Sequence, residues 1–239
     1  MVDQKKSLRI KIKALLHKFS EDPERYLRSF MRTAFFGGSF DPPHYGHLGV
    51  ARGALLSGKC DRIMWAPAFM PPHKLDRGRE SFAHRFNMLK LLTAGVPEFF
   101  VSDIEYRRRR VPSYTFDILE DLNKTPAEKF QLLIGADSLL ELHTWHRAQE
   151  LAERFELLVY PRPNCQVTLA HLKEHFPRET AEKLYNSLLD GEFFEISSTN
   201  LRFSMEKSAN WDNIISMTPE PALLYCRRHG LYKNNRSAI

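Results

Sequence analysis

The chain has 239 residues, of which 43% are hydrophobic and 27% charged, and it carries a formal net charge of +6. That composition excludes a disordered or fibrous chain and leaves ample length for the buried core of one large α/β domain. No apolar run approaches the roughly 20 residues of a membrane-spanning helix, and the N-terminal segment lacks the continuous apolar stretch of a signal peptide. The positive balance, with a pI near 9.2, points to anionic partners, a nucleotide as readily as a nucleic acid. Cys60, Cys165 and Cys226 are odd in number, widely spaced and without a C-x-x-C pair. Reduced thiols and a cytoplasmic setting are therefore expected.

In chain order, residues 1–32 come first as a separate helical extension. Leu8, Ile12, Leu15, Leu16 and Phe19 fall on one helical face among lysines, which predicts an amphipathic helix. It is expected to pack on the domain or on a second copy of the chain, as in a homodimer, in preference to a membrane or nucleic-acid contact. Residues 33–36 are β-branched and aromatic and read as a strand. The turn Gly37-Gly-Ser-Phe-Asp-Pro-Pro-His44-Tyr-Gly-His47-Leu48 follows, and helical periodicity resumes at Leu48, Val50, Ala51, Ala54 and Leu55. Gly53 to Cys60 imitates P-loop spacing, but Cys60 stands where a hydroxyl must bind magnesium. Gly53 to Ser57 continues the helical pattern, so Gly58 reads as a helix C-cap.

Residues 63–66, 99–101, 131–134, 156–159 and 193–196 read as further strands, with helices expected at 81–94, 114–122, 148–154 and 181–189. The alternation predicts βαβ units and a Rossmann-like, doubly wound parallel sheet across residues 33–239. Ligands of such sheets bind beyond the carboxyl ends of the strands. The turns at Gly37, Gly135 and Ser197 each follow a predicted strand, so all are expected on that rim. Two other features compete for attention. Arg107-Arg-Arg-Arg110 could steer an anion or lie in solvent. His171-Leu-Lys-Glu174-His175 spells H-x-x-E-H, which some zinc peptidases place on a helix, but nothing in the sequence singles out a further ligand, so a solvated helix face is expected.

The Gly37 turn suits phosphate chemistry. Glycines admit a polyanion to the backbone, amides at the start of the following helix favour negative charge, and His44 and His47 add side-chain donors. The segment Gly37 to His47 resembles the G-x-F-x-P-x-H-x-G-H signature of the nucleotidyltransferase α/β-phosphodiesterase superfamily. Ile196-Ser-Ser-Thr-Asn-Leu-Arg202 is similar to its second hallmark, I-S-S-T-x-I-R. Within that superfamily, Pro71-Pro-His-Lys74, Pro112-Ser-Tyr-Thr115, Ile134-Gly-Ala-Asp-Ser138 with Trp145, and the tail from Tyr225 to Tyr232 resemble the bacterial nicotinate mononucleotide adenylyltransferases. Leu201 departs from the usual Ile, a volume-conserving change. Val111 and the arginines stand where family members often carry a glycine.

The resemblance implies transfer of AMP from ATP to nicotinate mononucleotide, giving deamido-NAD and pyrophosphate, with no covalent intermediate. It implies catalytic roles for His44, His47 and Arg202. ATP contacts are implied for Gly37, Gly38, Ser39, Phe40, Gly135, Asp137, Ser197, Ser198 and Thr199, and mononucleotide contacts for Lys74, Thr115, Trp145 and His146. Mg2+ is expected to arrive with ATP, without a dedicated protein metal site. The hallmarks fix the chemistry more firmly than the acceptor, so a sister transferase acting on the amide mononucleotide or on phosphopantetheine is the nearest alternative. A nonenzymatic nucleic-acid or membrane-binding protein is the alternative of another class.

Overall fold

A computed structural model describes residues 31–69, 80–124, 128–163, 165–191, 196–207 and 214–232. The predicted N-terminal helix, Lys74 and nearly all of the predicted strand at 193–196 lie outside them. The described elements are β1 (Arg32–Gly38), α1 (Tyr45–Leu56), β2 (Arg62–Pro67), α2 (Phe82–Thr93), β3 (Phe99–Val101), α3 (Ile104–Arg108) and α4 (Thr115–Leu122). Then come β4 (Lys129–Gly135), α5 (Ala136–Leu140), a 3-10 turn (Leu142–Thr144), α6 (Ala148–Arg154) and β5 (Leu157–Tyr160), followed by α7 (Leu169–His175), α8 (Arg178–Tyr185), α9 (Ser198–Glu206) and α10 (Glu220–His229).

The strands form one sheet in the order β3-β2-β1-β4-β5, and every pairing is parallel. Chain order reverses between β1 and β4, so the sheet is doubly wound and its crevice opens where these two strands end. Side chains alternate between its faces with period two. Phe35, Met64, Leu132, Ile134 and Val159 join one core with α4, α6, α7 and α8. Phe36, Ile63, Trp65, Leu133 and Tyr160 join the other with α1 and α2. Burial on both faces explains why the strands read as short continuous apolar runs.

The helix expected at 181–189 is instead Arg178–Tyr185, and Leu188 lies extended, bridged in parallel to Val159. Pro177 supplies the start, since proline's fixed φ is tolerated ahead of a first turn and forbids continuation from before it. The P-loop imitation resolves as read: Gly53 is inside α1, and Gly58 follows its end at φ 65°, the left-handed region that glycine enters without strain.

Phe40 holds the β1–α1 turn to this framework. Its φ of 49° is left-handed for a residue with a Cβ, a conformation that persists only where the surroundings enforce it. The ring is almost wholly buried, edge-on to Phe36 at 5.3 Å and beside Trp65 at 5.6 Å. Replacing Phe40 by Ala is expected to cost about 3–5 kcal/mol in urea unfolding, the usual range for emptying a phenylalanine site. A cost below about 1 kcal/mol would remove the ring from this role.

Candidate active site

The turn after β1 is fixed from several distant parts of the chain. Arg85 of α2, almost fully buried, donates to the carbonyls of Ser39 (2.8 Å), Ala68 (2.7 Å) and Glu80 (3.1 Å). Thr218 Oγ1 donates to the Pro43 carbonyl at 2.8 Å, and the Tyr45 amide donates to the Met217 carbonyl at 2.9 Å. The Tyr232 hydroxyl donates to Asp41 Oδ1 at 2.5 Å, inside the fold. Burial and the neighbouring Asp41 push the Tyr232 phenol well above its ordinary range, so it stays a neutral donor.

His44 caps α1, and its main-chain N–H donates to His47 Nδ1 at 3.2 Å. That bond leaves the lone pair of His47 on Nδ1 and assigns its proton to Nε2, making neutral His47 a hydrogen-bond donor through that nitrogen. The two rings stack at 3.7 Å with 29° between their planes, and Phe40 lies edge-on to His47 at 4.9 Å. Burial pushes His44 down to about 3, helped by the Arg162 guanidinium. His47 is lowered well below its usual value by burial, then by His44 and Arg162. Both imidazoles are therefore neutral near pH 7 in the free protein.

Gly135 ends β4, and Asp137 sits in the first turn of α5. A Cβ at Gly135 would come within 2.3 Å of Asp137 Oδ1 and 3.0 Å of Arg162 Nε. The missing side chain is what lets carboxylate and guanidinium meet over this strand end, with 3.6 Å between Arg162 Nε and Asp137 Oδ1. Arg162 lies two residues past the end of β5.

Ser197 caps α9 by accepting from the Asn200 amide at 3.1 Å. From that helix Ser198 Oγ donates to the Pro42 carbonyl at 2.9 Å, and Arg202 donates to the Asp41 carbonyl at 2.6 Å and to Thr199 Oγ1 at 3.2 Å. A Cβ at Gly46 would lie 3.3 Å from the Ile196 carbonyl, so the α1 and α9 entrances touch. The Gly37, Gly135 and Ser197 loops thus share one rim: the first and third are hydrogen-bonded, and the second reaches the histidines through Arg162.

Beside this rim lies a cavity of about 460 Å³, lined among others by Gly37, Gly38, Thr115, Trp145 and His146. Thr115 opens α4, and His146 stacks on Tyr114 at 4.1 Å. Glu105 closes part of the wall, accepting from the Phe69 amide at 3.1 Å, and burial raises its carboxyl above the ordinary range. A larger cleft of about 730 Å³ runs along α1 past Tyr45, Arg52, Tyr160 and Asp190. None of the site residues assigned from the sequence lines it, so the smaller cavity is the candidate substrate site.

Arg162, Arg85, Glu105 and Tyr232 were not singled out from the sequence as site groups. Arg162 left a signal, a cation placed just after a predicted strand on the ligand-binding rim, and Tyr232 left one in the tail that resembles the family's ending. Three of the four arginines at 107–110 are engaged within the domain: Arg107 with Asp103 at 2.7 Å, Arg108 with Asp121, and Arg109 over the Tyr106 ring at 5.4 Å. His171, Glu174 and His175 lie on α7 and do not line the cavity.

Glycine loops, paired histidines and a helix entrance on the rim of a parallel sheet are the equipment of a nucleotidyltransferase. A family model described as cytidylyltransferase-like matches residues 35–204. A probable nicotinate-nucleotide adenylyltransferase of Roseiflexus sp. strain RS-1 is 36% identical over 197 residues, covering 82% of this chain and 96% of the relative. Another from Pectobacterium atrosepticum is 35% identical over 215 residues, covering 84% and 98%. The chain belongs to the nicotinate-nucleotide adenylyltransferase family. The fold also matches that of a solved Plasmodium falciparum nicotinic acid mononucleotide adenylyltransferase complexed with NaAD, with a TM-score of 0.67, 20% identity and coverage of 84% of this chain and 97% of that one.

The lowered histidines have a stability consequence. The folded protein binds fewer protons than the unfolded chain between the ordinary value of 6.5 and the His44 value of about 3, so stability falls as pH drops through that window. In the free protein the His44 and His47 ring resonances should show no titration between about pH 5 and 8 by NMR. A midpoint near 6.5 for either ring would contradict the desolvated pair.

Proposed function

We infer that this enzyme transfers AMP from ATP to nicotinate mononucleotide, releasing pyrophosphate and deamido-NAD in NAD biosynthesis. Membership of the family supports the reaction. The observation that supports the assignment of residues is the shared rim, where Arg202 reaches the Asp41 carbonyl of the first loop and the Arg162 guanidinium helps burial to lower the His47 pKa. A phosphate oxygen of the mononucleotide attacks the α-phosphorus of ATP, and the bond from that phosphorus to the bridging oxygen of pyrophosphate breaks. The nucleophile is already an anion, so no general base and no covalent enzyme intermediate is called for. Catalysis then reduces to alignment and to stabilising charge on the transferring and leaving oxygens.

In this reading neutral His47 donates through Nε2 to the α-phosphate, with His44 beside it. Fixed positive charge comes from Arg202 and Arg162, because the histidines supply none before ATP binds. The β- and γ-phosphates lie at the α9 entrance with Ser197, Ser198 and Thr199, where unpaired amides favour anions. The main chain of Gly37, Gly38, Ser39 and Phe40 allows the triphosphate to come close, and Asp137 beside Gly135 receives a ribose hydroxyl. Magnesium travels with ATP, held by phosphate oxygens and water.

The pyridine ring stacks on Trp145 in the smaller cavity, and Lys74 is assigned to a phosphate. The amides around Thr115 and His146 donate to the nicotinate carboxylate, which the amide mononucleotide lacks. The free thiols of Cys60, Cys165 and Cys226 support a reducing, cytoplasmic setting. No helix among the described residues is long and apolar enough to cross a membrane.

Pyrophosphate release measured side by side with the acid and amide mononucleotides is expected to favour the acid. Equal turnover of both, or turnover of neither, would overturn the acceptor assignment. His47→Ala should lower kcat by about 100-fold or more with the fold intact, the scale of losing a transition-state donor. Trp145→Ala should chiefly raise the mononucleotide KM. Undiminished turnover in the first variant, or an unchanged KM in the second, would remove that residue from its role.

A further inference from the structure

We propose that His171, Glu174 and His175 form a binding site for one divalent transition-metal ion of the zinc class, where α7 meets the 3-10 turn that leads into the substrate cavity. The sequence offered two histidines with a carboxylate beside them and singled out no further ligand. The fold holds one donor atom from each of the three residues within 4.8 Å of one another, on the exposed Glu174 and His175 and the half-buried His171. Tetrahedral zinc with bonds near 2.1 Å holds its donors about 3.4 Å apart, so closing the site takes shifts of roughly 1 Å, which the exposed Glu174 and His175 can supply by rotamer change.

The surroundings favour a cation. The three residues occupy the last five positions of α7, at the negative end of its dipole. Lys173, the neighbouring lysine, reaches Glu182 of α8 at 3.4 Å, which draws it away from Glu174. Among the described residues, the ion-pair distance to Glu174 is that of His171 Nδ1, 3.9 Å away. His171 Nε2 is enclosed without a hydrogen-bond partner, so the fold does not commit that ring to a bond of its own.

A third imidazole gives the site a consequence. The ring of His143 lies parallel to that of His175, with 3.8 Å between centroids and 6° between planes. His143 Nδ1 is 3.1 Å from the Leu140 carbonyl. Donation there leaves the lone pair on Nε2, the arrangement in which a histidine is prepared to approach a metal. His143 belongs to the 3-10 turn, and the next residues, Thr144, Trp145 and His146, line the substrate cavity. An ion fixing His175 therefore also biases the turn that carries the proposed stacking tryptophan. By reciprocity the mononucleotide then changes the affinity for the ion by the same factor. This second step rests on the assignment of the cavity given above; the metal site does not.

The test is calorimetric titration of the chelator-treated full chain with zinc, in the absence of both substrates. One ion per chain is expected, and His171→Ala and His175→Ala should each weaken binding at least about tenfold, as the loss of one of three protein ligands requires. His84→Ala, which removes a ring 5.2 Å from that of His229 elsewhere on the surface, should leave it unchanged. Binding that is absent, or that survives both α7 substitutions, or that is lost with His84→Ala, overturns the site. In a second arm, zinc should shift the equilibrium affinity for nicotinate mononucleotide, measured without ATP, by about threefold or more in the wild type and not in His171→Ala. An unchanged affinity with the ion bound overturns the coupling. If mononucleotide fails to bind at all, the cavity assignment fails while the first arm still decides the metal site.

Discussion

The hydrogen bond from the His44 main-chain N–H to His47 Nδ1 governs how this site can work. It exists because α1 begins at the end of a turn whose every residue is held from elsewhere, and it fixes which nitrogen of His47 carries the proton. Burial does the rest by keeping both stacked imidazoles uncharged. A charged pair at this separation would repel. A neutral pair can wait next to Arg162 and take up positive character only when a polyanion arrives. The rim thereby divides its labour, with directional donors from the histidines and permanent charge from the guanidiniums.

Such a rim leaves polar atoms without partners inside the protein. Asp41 Oδ2, His44 Nδ1 and Arg162 Nε are all enclosed and lack hydrogen bonds within the fold. Unpaired buried groups cost about 1–3 kcal/mol each, and these three lie on or beside the converging loops, while Trp65 Nε1, Ser113 Oγ, Gln131 Oε1 and His171 Nε2 are enclosed in the same way elsewhere. The expense is balanced by apolar packing below, where Phe40, Phe36 and Trp65 interlock. Arg85 and the contacts from Thr218 and Tyr232 add stiffness around the same turn.

Much of this was legible in the sequence, for reasons that differ between elements. The strands were visible because burial on both faces leaves short apolar runs bounded by turns, and residues 99–101 and 131–134 fall within strands as read. The boundary of α8 was misplaced because Leu188 and Leu189 continue a helical apolar spacing while main-chain pairing with Val159 draws them into an extended course. The local constellation at residues 37–47 was readable because it is contiguous. Arg162, Arg85 and Tyr232 were not, since each acts on residues far away in the chain: 118 positions separate His44 and Arg162 by numbering, and 191 separate Asp41 and Tyr232. Only the fold brings such groups together. The proximity of His143 to His175 belongs to the same class.

The central claim is that a single triphosphate is gripped by three loops through neutral histidines and fixed guanidiniums. It is tested most directly by a crystal structure of the complex with an ATP analogue carrying a methylene bridge between the α- and β-phosphorus. The account predicts an α-phosphate oxygen at about 3 Å from His47 Nε2, with the terminal phosphates at Arg202 and the α9 entrance. A triphosphate seated instead in the larger cleft beside Arg52, with His47 out of contact, would contradict it.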